Sequence, residues 1–545
     1  MLFLTTLLIS IIVTIALMPY SRELACKLQA VDRPNQRKVH DQVMPKCGGM
    51  AMAIGVMTPV MLWAPMTPFT KALLIGTLII VLFGVVDDIK DLSPYMKLLG
   101  QLMAALVAIF VGGIKISDLG NILPAGMMLP DWLAIPLTIV VIIGVTNATN
   151  LSDGLDGLAG GIALLIFLCI GYLGICEQDW FVAMVSIAVG GAVFGFLKFN
   201  SHPAQLFMGD AGSQFLGFVA IVLAIKLTQQ TAQLSVTLPL IIIGLPILDT
   251  LTVMIKRLAK GRSPFAADRN HFHHQLIEVG LYHTEAVLAI YVAQSLLILF
   301  AIAYHQLNDW LILAFYLCFA CLVVGSFHLF DKVGYRINRD TFLNKIKFRL
   351  QPLKDRGYAI KISFGIVKIG VPSLLLFNAL FPTSNDDHYF IYSGGFLLLL
   401  ALAWFMKKHF LDRVVKLGLY LLTPFVIYYC DQGIYLYMDN TFIILYNSLY
   451  LVLMVAVFFT MKLTRRANGF KSSTLDFLVI FVILLIPNLP DAAIKDYHLG
   501  LVAVKAVILY YSYEVLVGEI RKKTFGLPIS LAILIVGVKS FLLSL

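Results

Sequence analysis

The chain has 545 residues, of which 59% are hydrophobic and only 13% charged, and its mean hydropathy is +0.88. That is too little polar surface to clothe a soluble globule of this size, so the composition excludes one and implies a polytopic membrane protein. The formal charge of +10 is carried by Lys and Arg that flank apolar runs, which assigns it to loops lying against anionic lipid and argues against a nucleic-acid partner.

Apolar runs long enough to cross a bilayer core, roughly 17 to 25 residues each, recur from end to end, about eighteen of them. The first, residues 2 to 19, has no basic start and no small-residue cleavage site, and it leads into SRELACK; it reads as a retained helix and not a signal peptide. With the N-terminus outside, Lys and Arg collect on one side, at 22–46, 256–269, 332–363, 407–416, 462–471 and 521–523. The loops near 65–70, 227–232, 305–309, 382–388 and 431–440 hold almost none, and the positive-inside rule then makes the basic side cytoplasmic. Three regions follow: spans up to residue 330, a basic connector over 331–363 with spaced apolar residues suited to the membrane surface, and about seven further spans over 364–545. No internal repeat relates the two sets of spans, so an inverted transporter duplication finds no support. The seven cysteines are scattered, mostly in apolar runs, and read as small buried hydrophobes; Cys318 and Cys321 form a CxxC without polar context.

In chain order, the first polar motif is the cytoplasmic loop VDRPNQRKVHDQVMPKCGG, with Arg33, Arg37, Lys38, His40 and Lys46 and a closing glycine pair that lets a backbone come close to a ligand. FGVVDDIKD places Asp87, Asp88 and Asp91 at a helix end, and Lys97 follows in YMKLLGQ, placed either to hold a phosphate or to set topology. In NATNLSDGLDGLAGG, Asn150, Asp153 and Asp156 stand three residues apart, a spacing that would put them on one helical face. Two carboxylates and an amide there concentrate negative potential and call for a cation, most simply magnesium. FNSHPAQLFMGDAGS adds Asn200, Phe207 and Asp210. Any one Asp at a helix end is ordinary capping. Three acidic clusters delivered to one plane at the cytoplasmic face are not explained that way.

GRSPFAADRNHFHHQLIEVG then sets His271, His273 and His274 in a loop entering a short helix, beside Arg269, Arg262 and Lys256. Such a group suits sugar hydroxyls and phosphate oxygens; zinc is the competing reading, but it lacks Cys partners and HExxH spacing. Beyond residue 364 the intramembrane charges are chiefly Lys368, Lys505, Glu514 and Lys539. Lys505 and Lys539 are expected toward the outer leaflet, snorkelling to the interface, with a lipid-phosphate site as the alternative.

Together these motifs resemble the polyprenyl-phosphate N-acetylhexosamine-1-phosphate transferases: DRPNxRKxH at 32–40, DDxxD at 87–91, NxxNxxDGxDGLAGG at 147–161, FMGDAGS at 207–213 and DRNHFHH at 268–274. The resemblance spans about the first 330 residues. It implies an all-α polytopic fold of about eleven spans in this region, in a bacterial inner membrane, with the active site facing the cytoplasm. It also implies transfer of a sugar-1-phosphate from a UDP-N-acetylhexosamine to undecaprenyl phosphate with release of UMP, dependent on magnesium, with manganese as a substitute. DRNHFHH differs from the three adjacent histidines of the related phospho-MurNAc-pentapeptide translocases and points to UDP-GlcNAc or a similar small donor.

By the same resemblance Asp210 is a magnesium ligand with Asn150 and Asp153 in the metal and diphosphate shell. Asp87 and Asp88 stand beside it as catalytic residues, in metal binding and alignment or, for one of them, as the base that takes the proton of the lipid phosphate. Asp156 and Asn200 contact uridine, Phe207 stacks on uracil, and Lys97, Arg269, His271, His273 and His274 meet the sugar and its phosphate. Lys46 has no assigned role. Relatives often form dimers, so a homodimer is among the implications. They usually end near the eleventh helix, and the further spans favour a competing reading, a transporter or flippase of lipid-linked or nucleotide sugar. Transporters place their charges near the bilayer midplane, whereas these carboxylates gather at one face.

Overall fold

A computed structural model describes residues 2–33, 43–124, 126–231, 233–263, 270–334, 336, 358–380, 423–424, 426–463, 474–485 and 498–519. The fold is all-α and polytopic: among the described residues ten helices are long and apolar enough to cross a membrane. The chain forms two compact units, one of residues 1–337 with 473–479 and one of 338–472 with 480–545.

The first unit contains α1 (Leu2–Lys27), α2 (Gly48–Trp63), α3 (Pro68–Lys90), α4 (Pro94–Phe110), α5 (Asp131–Leu151), α6 (Leu158–Cys176), α7 (Trp180–Asn200) and α8 (Gly209–Gln230). The short α9 (Leu238–Ile242), α10 (Gly244–Ala259), the short α11 (Phe272–Glu278), α12 (His283–Ala303) and α13 (Asp309–Val333) also belong to it. Local signals set the boundaries. Thr67 caps α3 through its side chain, with Pro68 in the first turn, and Asp91 ends that helix in the left-handed conformation at φ 48°.

The side-chain pattern is that of a helix bundle in lipid. On α1 the buried positions are Thr6, Ser10, Thr14, Met18, Ser21 and Ala25, four or three residues apart, while Leu4, Leu8 and Ile12 face outward. Small and hydroxylic residues pack inside because lipid already satisfies the large apolar ones. Ser10 Oγ donates to Ala188 O of α7 at 2.5 Å, and a Cβ on Gly55 of α2 would strike Thr14. Cys318 and Cys321, expected to be buried, lie on the outer face of α13, where lipid would cover them; Cys47, Cys169 and Cys430 are buried.

Helix α8 is the axis of the unit. It packs against α2, α3, α5 and α6, and nearly all its residues from Ala211 to Thr228 are buried. Its N-terminal turn touches neighbouring backbone directly: a Cβ on Gly84 of α3 would overlap Ala211, and one on Gly49 of α2 would overlap Gly212. These contacts bring the polar ends of α3, α5, α7 and α8 together at one end of the bundle.

The second unit includes helices Tyr358–Leu380, Asn440–Leu463 and Leu499–Glu519, packed through Val367, Val371, Leu453, Leu509 and Tyr513. Lys505 does not snorkel. It is 3% exposed and donates to both carboxylate oxygens of Asp431 at 2.7 and 2.8 Å, with its ammonium 4.3 Å from the Tyr446 ring centroid. The sequence places Asp431 in an outer loop; in the structure it is fully buried in the helical stretch 426–437, and a buried carboxylate is the partner that keeps a buried ammonium charged. Lys539 and most of the 331–363 connector fall outside the described residues.

Replacing Gly84 by Val should destabilise the protein by about 1–3 kcal/mol, the usual range for overpacking, because backbone and not a movable side chain stands in the way. The melting midpoint of the detergent-solubilised full chain measures this; an unchanged midpoint would mean that α3 and α8 do not meet at this glycine.

Candidate active site

The site is built on backbone pairing before any charge is placed. Strand β1 (Val31–Asp32) pairs antiparallel with β2 (Met44–Pro45). The chain then bonds to the segment leading into α8: Phe207 N donates to Pro45 O at 2.8 Å, while Phe207 O accepts from Cys47 N and Gly48 N at 3.1 and 3.0 Å. Lys46 and Phe207 are thereby paired. Gly209 turns the chain at φ 76°, and a Cβ there would collide with the Asp88 carboxylate. Asp88 accepts from Asp210 N at 3.0 Å and Ala211 N at 3.3 Å, so a carboxylate of α3 caps the first turn of α8.

That capping brings three carboxylates together. Lys97 Nζ lies 2.5 Å from Asp87 Oδ2 and 2.7 Å from Asp210 Oδ2, bridging α3 and α8. Asp87 Oδ1 accepts from Leu92 N at 2.7 Å, and Lys46 Nζ stands 3.8 Å from Asp88. Asn150 accepts from Ser213 Oγ of α8 at 2.6 Å. Beneath them Gln101, Asn147 and Gln214 join α4, α5 and α8 in a buried amide network with bonds of 2.7 to 3.1 Å.

The expected single helical face of Asn150, Asp153 and Asp156 does not form. Helix α5 ends at Leu151, Ser152 bonds back to Ala148 O, and Gly157 closes the loop at φ 80°, so Asp153 and Asp156 sit in a turn. Glycines after each Asp favour the turn over another helical repeat. Asn200 clasps it, accepting from Gly157 N and donating to Leu206 O, both at 2.9 Å, and Tyr291 OH holds Gly157 O at 2.6 Å. Burial, then the charges of Asp210, Asp88 and Asp156, push the Asp153 carboxyl up to about 7.

Asp87, Asp88, Asp153 and Asp210 thus face only Lys46 and Lys97 among the described residues, an excess of two negative charges when all four are ionised. The donors are all oxygen, the set that a hard divalent cation such as Mg2+ takes.

The sequence matches the profile of Glycosyl transferase family 4 over residues 70–228. It is 35% identical over 305 residues, 56% of this chain and 85% of the relative, to a probable undecaprenyl-phosphate N-acetylglucosaminyl 1-phosphate transferase of Bacillus subtilis. The chain belongs to glycosyl transferase family 4. It is also similar to an undecaprenyl-phosphate alpha-N-acetylglucosaminyl 1-phosphate transferase of Yersinia pestis (29% identity; 64% of this chain, 96% of the relative) and to a decaprenyl-phosphate N-acetylglucosaminephosphotransferase of Mycolicibacterium smegmatis (33%; 50% and 74%).

In this family 4 transferase the histidine loop folds onto the acidic turn, since a Cβ on Gly154 would collide with the His273 ring. Burial and the neighbouring imidazoles His274, His271 and His283 push His273 down to about 3, so it is neutral at physiological pH, a hydrogen-bonding group and not a cation. His271 Nδ1 lies 3.0 Å from Asp249 Oδ2, and Asp249 Oδ1 accepts from Phe272 N at 2.9 Å. Asp249 was not singled out from sequence, although a lone Asp in the apolar run LPILDTLTV is a signal in itself. Gln101, Gln214, Ser213, His202 and His283 were passed over too. Arg269, Arg37, Lys38 and His40 fall outside the described residues.

Protons and a cation compete for Asp153. Below about pH 7 binding must expel a proton, so apparent Mn2+ affinity should fall about tenfold per pH unit there and level off above it. Without the cation, stability should decline as pH rises from about 4 to about 7, because the native carboxyl keeps a proton that the unfolded chain has released. Mn2+ titration followed by electron paramagnetic resonance at about pH 6 and about pH 8 tests the first; pH-independent binding would remove Asp153 from the cation's surroundings.

Proposed function

We propose that this enzyme transfers N-acetylglucosamine-1-phosphate from UDP-GlcNAc to undecaprenyl phosphate in the bacterial inner membrane, releasing UMP and beginning a cell-surface glycan. The observation that carries this reading is the convergence of four carboxylates and two lysines at one end of the bundle, in a chain whose family relatives bear those activities in their names. On this reading the domain of residues 1–330 does the transfer, with its site on the cytoplasmic face.

The lipid phosphate oxygen attacks the β-phosphorus of the donor, and the bond from that phosphorus to the bridging oxygen breaks, so UMP leaves with the bridging electrons. Mg2+, held by Asp210 and Asp153 with Asn150, Asp87 and Asp88 around them, would neutralise the diphosphate and the charge growing on the leaving phosphate. The protein's own groups align the two anions. Asp88 is committed to the first turn of α8, which suits positioning better than proton transfer. A phosphate monoester is largely ionised at neutral pH, so a base adds little. Lys97, shared by Asp87 and Asp210, is placed to meet a phosphate oxygen when substrate arrives. Phe207, with its backbone fixed on both sides, offers an apolar ring for uracil, while Asp156 and the Asn200 clasp shape the uridine pocket. Neutral His273, His271 oriented by Asp249, and His274 would read sugar hydroxyls.

Membranes containing the full chain, supplied with radiolabelled UDP-GlcNAc, undecaprenyl phosphate and Mg2+, should yield labelled lipid and UMP. Asp210→Asn should lower the rate at least about 100-fold, as removal of one strong electrostatic group commonly does. His273→Gln should raise the KM for UDP-GlcNAc more than it lowers kcat. Product formed from another UDP-N-acetylhexosamine alone would correct the donor; no product from any of them would overturn the transferase reading.

A further inference from the structure

We propose that Asp156, His202 and His283 form a second cation site, separate from the all-oxygen cluster and selective for an imidazole-preferring divalent ion of the zinc class. The three residues come from different elements: the turn after α5, the segment after α7 and the first position of α12. One carboxylate oxygen and one nitrogen of each imidazole lie within 4.8 Å of one another. Asp156 Oδ2 is 2.8 Å from His202 Nδ1, and the two imidazole rings stack with centroids 4.3 Å apart. A zinc ion needs this convergence of nitrogen and carboxylate ligands, and two nitrogens with one oxygen are a poor set for Mg2+.

A second observation points to a ligand. His283 Nε2 accepts from Asp156 N at 3.1 Å, which puts the proton of the neutral ring on Nδ1. That Nδ1 is buried and has no hydrogen-bond partner among the described residues, a costly position for a donor. The His202 side chain is 41% exposed, so the cluster is reachable from water and retains an outward coordination position. Bound there, the ion would tie the turn bearing Asp153 and Asp156 to α7 and α12. The site stands whether or not the transfer reaction is as proposed, since its ligands are defined by geometry alone.

The test uses the purified full chain, stripped with chelator and held in saturating Mg2+ to fill the all-oxygen cluster, then titrated with Zn2+ and, as a spectroscopic probe, Co2+. One Zn2+ per chain is expected, with cobalt ligand-field bands of low-coordinate nitrogen ligation. His202→Gln and His283→Gln should each weaken binding by more than the roughly 10–100-fold that losing an outer-shell partner causes. His274→Gln should bind as the parent does, which separates this cluster from the neighbouring histidine loop. No Zn2+ bound by the parent in Mg2+, an octahedral all-oxygen cobalt spectrum, or equal loss in His274→Gln would overturn the proposal. If a substituted chain fails to fold, protection of the exposed His202 ring of the parent from diethyl pyrocarbonate by Zn2+, read by peptide mass mapping, locates the ion, and no protection there overturns the proposal.

Discussion

Carboxylates that repel one another are held at one end of a helix bundle because three helices touch there backbone to backbone. Gly84 and Gly49 remove the side chains that would keep α3 and α2 from α8, and Asp88 then spends its charge on the first turn of α8. Asp87 is 2% and Asp88 7% exposed, so neither charge is relieved by full hydration. Lys97 and Lys46 offset part of the repulsion, and the remainder is what makes this end of the protein receptive to a cation and, through it, to diphosphate.

The second unit handles buried charge in the opposite way. Asp431 and Lys505 are paired through both carboxylate oxygens, and Asn378, Tyr446 and Tyr450 are joined by hydrogen bonds of 2.6 to 3.4 Å alongside them. Such a pair is weak evidence for net stability but strongly constrains which helices can be neighbours, since removing either partner leaves the other charged and unpaired in an apolar core. One unit keeps an electrostatic deficit at its end; in the other, the described buried pair balances its own charge.

Much of this was readable in the chain. Composition and run length gave the all-α membrane fold, and the motif around Asp87 and Asp88, with those around Asp153 and Asp210, placed carboxylates at one face, where the structure brings them together. What escaped depended on tertiary contact. Three-residue spacing implied a helical face for Asp153 and Asp156, but glycine after each of them made a turn. Asp249 and His283 became meaningful only through partners 22 and 127 residues away. Lys505 looked like an interfacial lysine because its partner, Asp431, stood in a stretch whose polarity resembled a loop.

Helix α1 turns its hydroxyls inward, and Ser10 finds its acceptor at Ala188, 178 residues later in the chain. During synthesis α1 therefore precedes its partner by five other helices of the unit. Its Leu and Ile positions hold it in lipid meanwhile, and each threonine or serine can bond a carbonyl one turn back in its own helix. The sparse polarity of that stripe is thus set by two stages of life: mild enough for a helix waiting alone in the membrane, and small enough for α2 and α7 to close upon it once they are made.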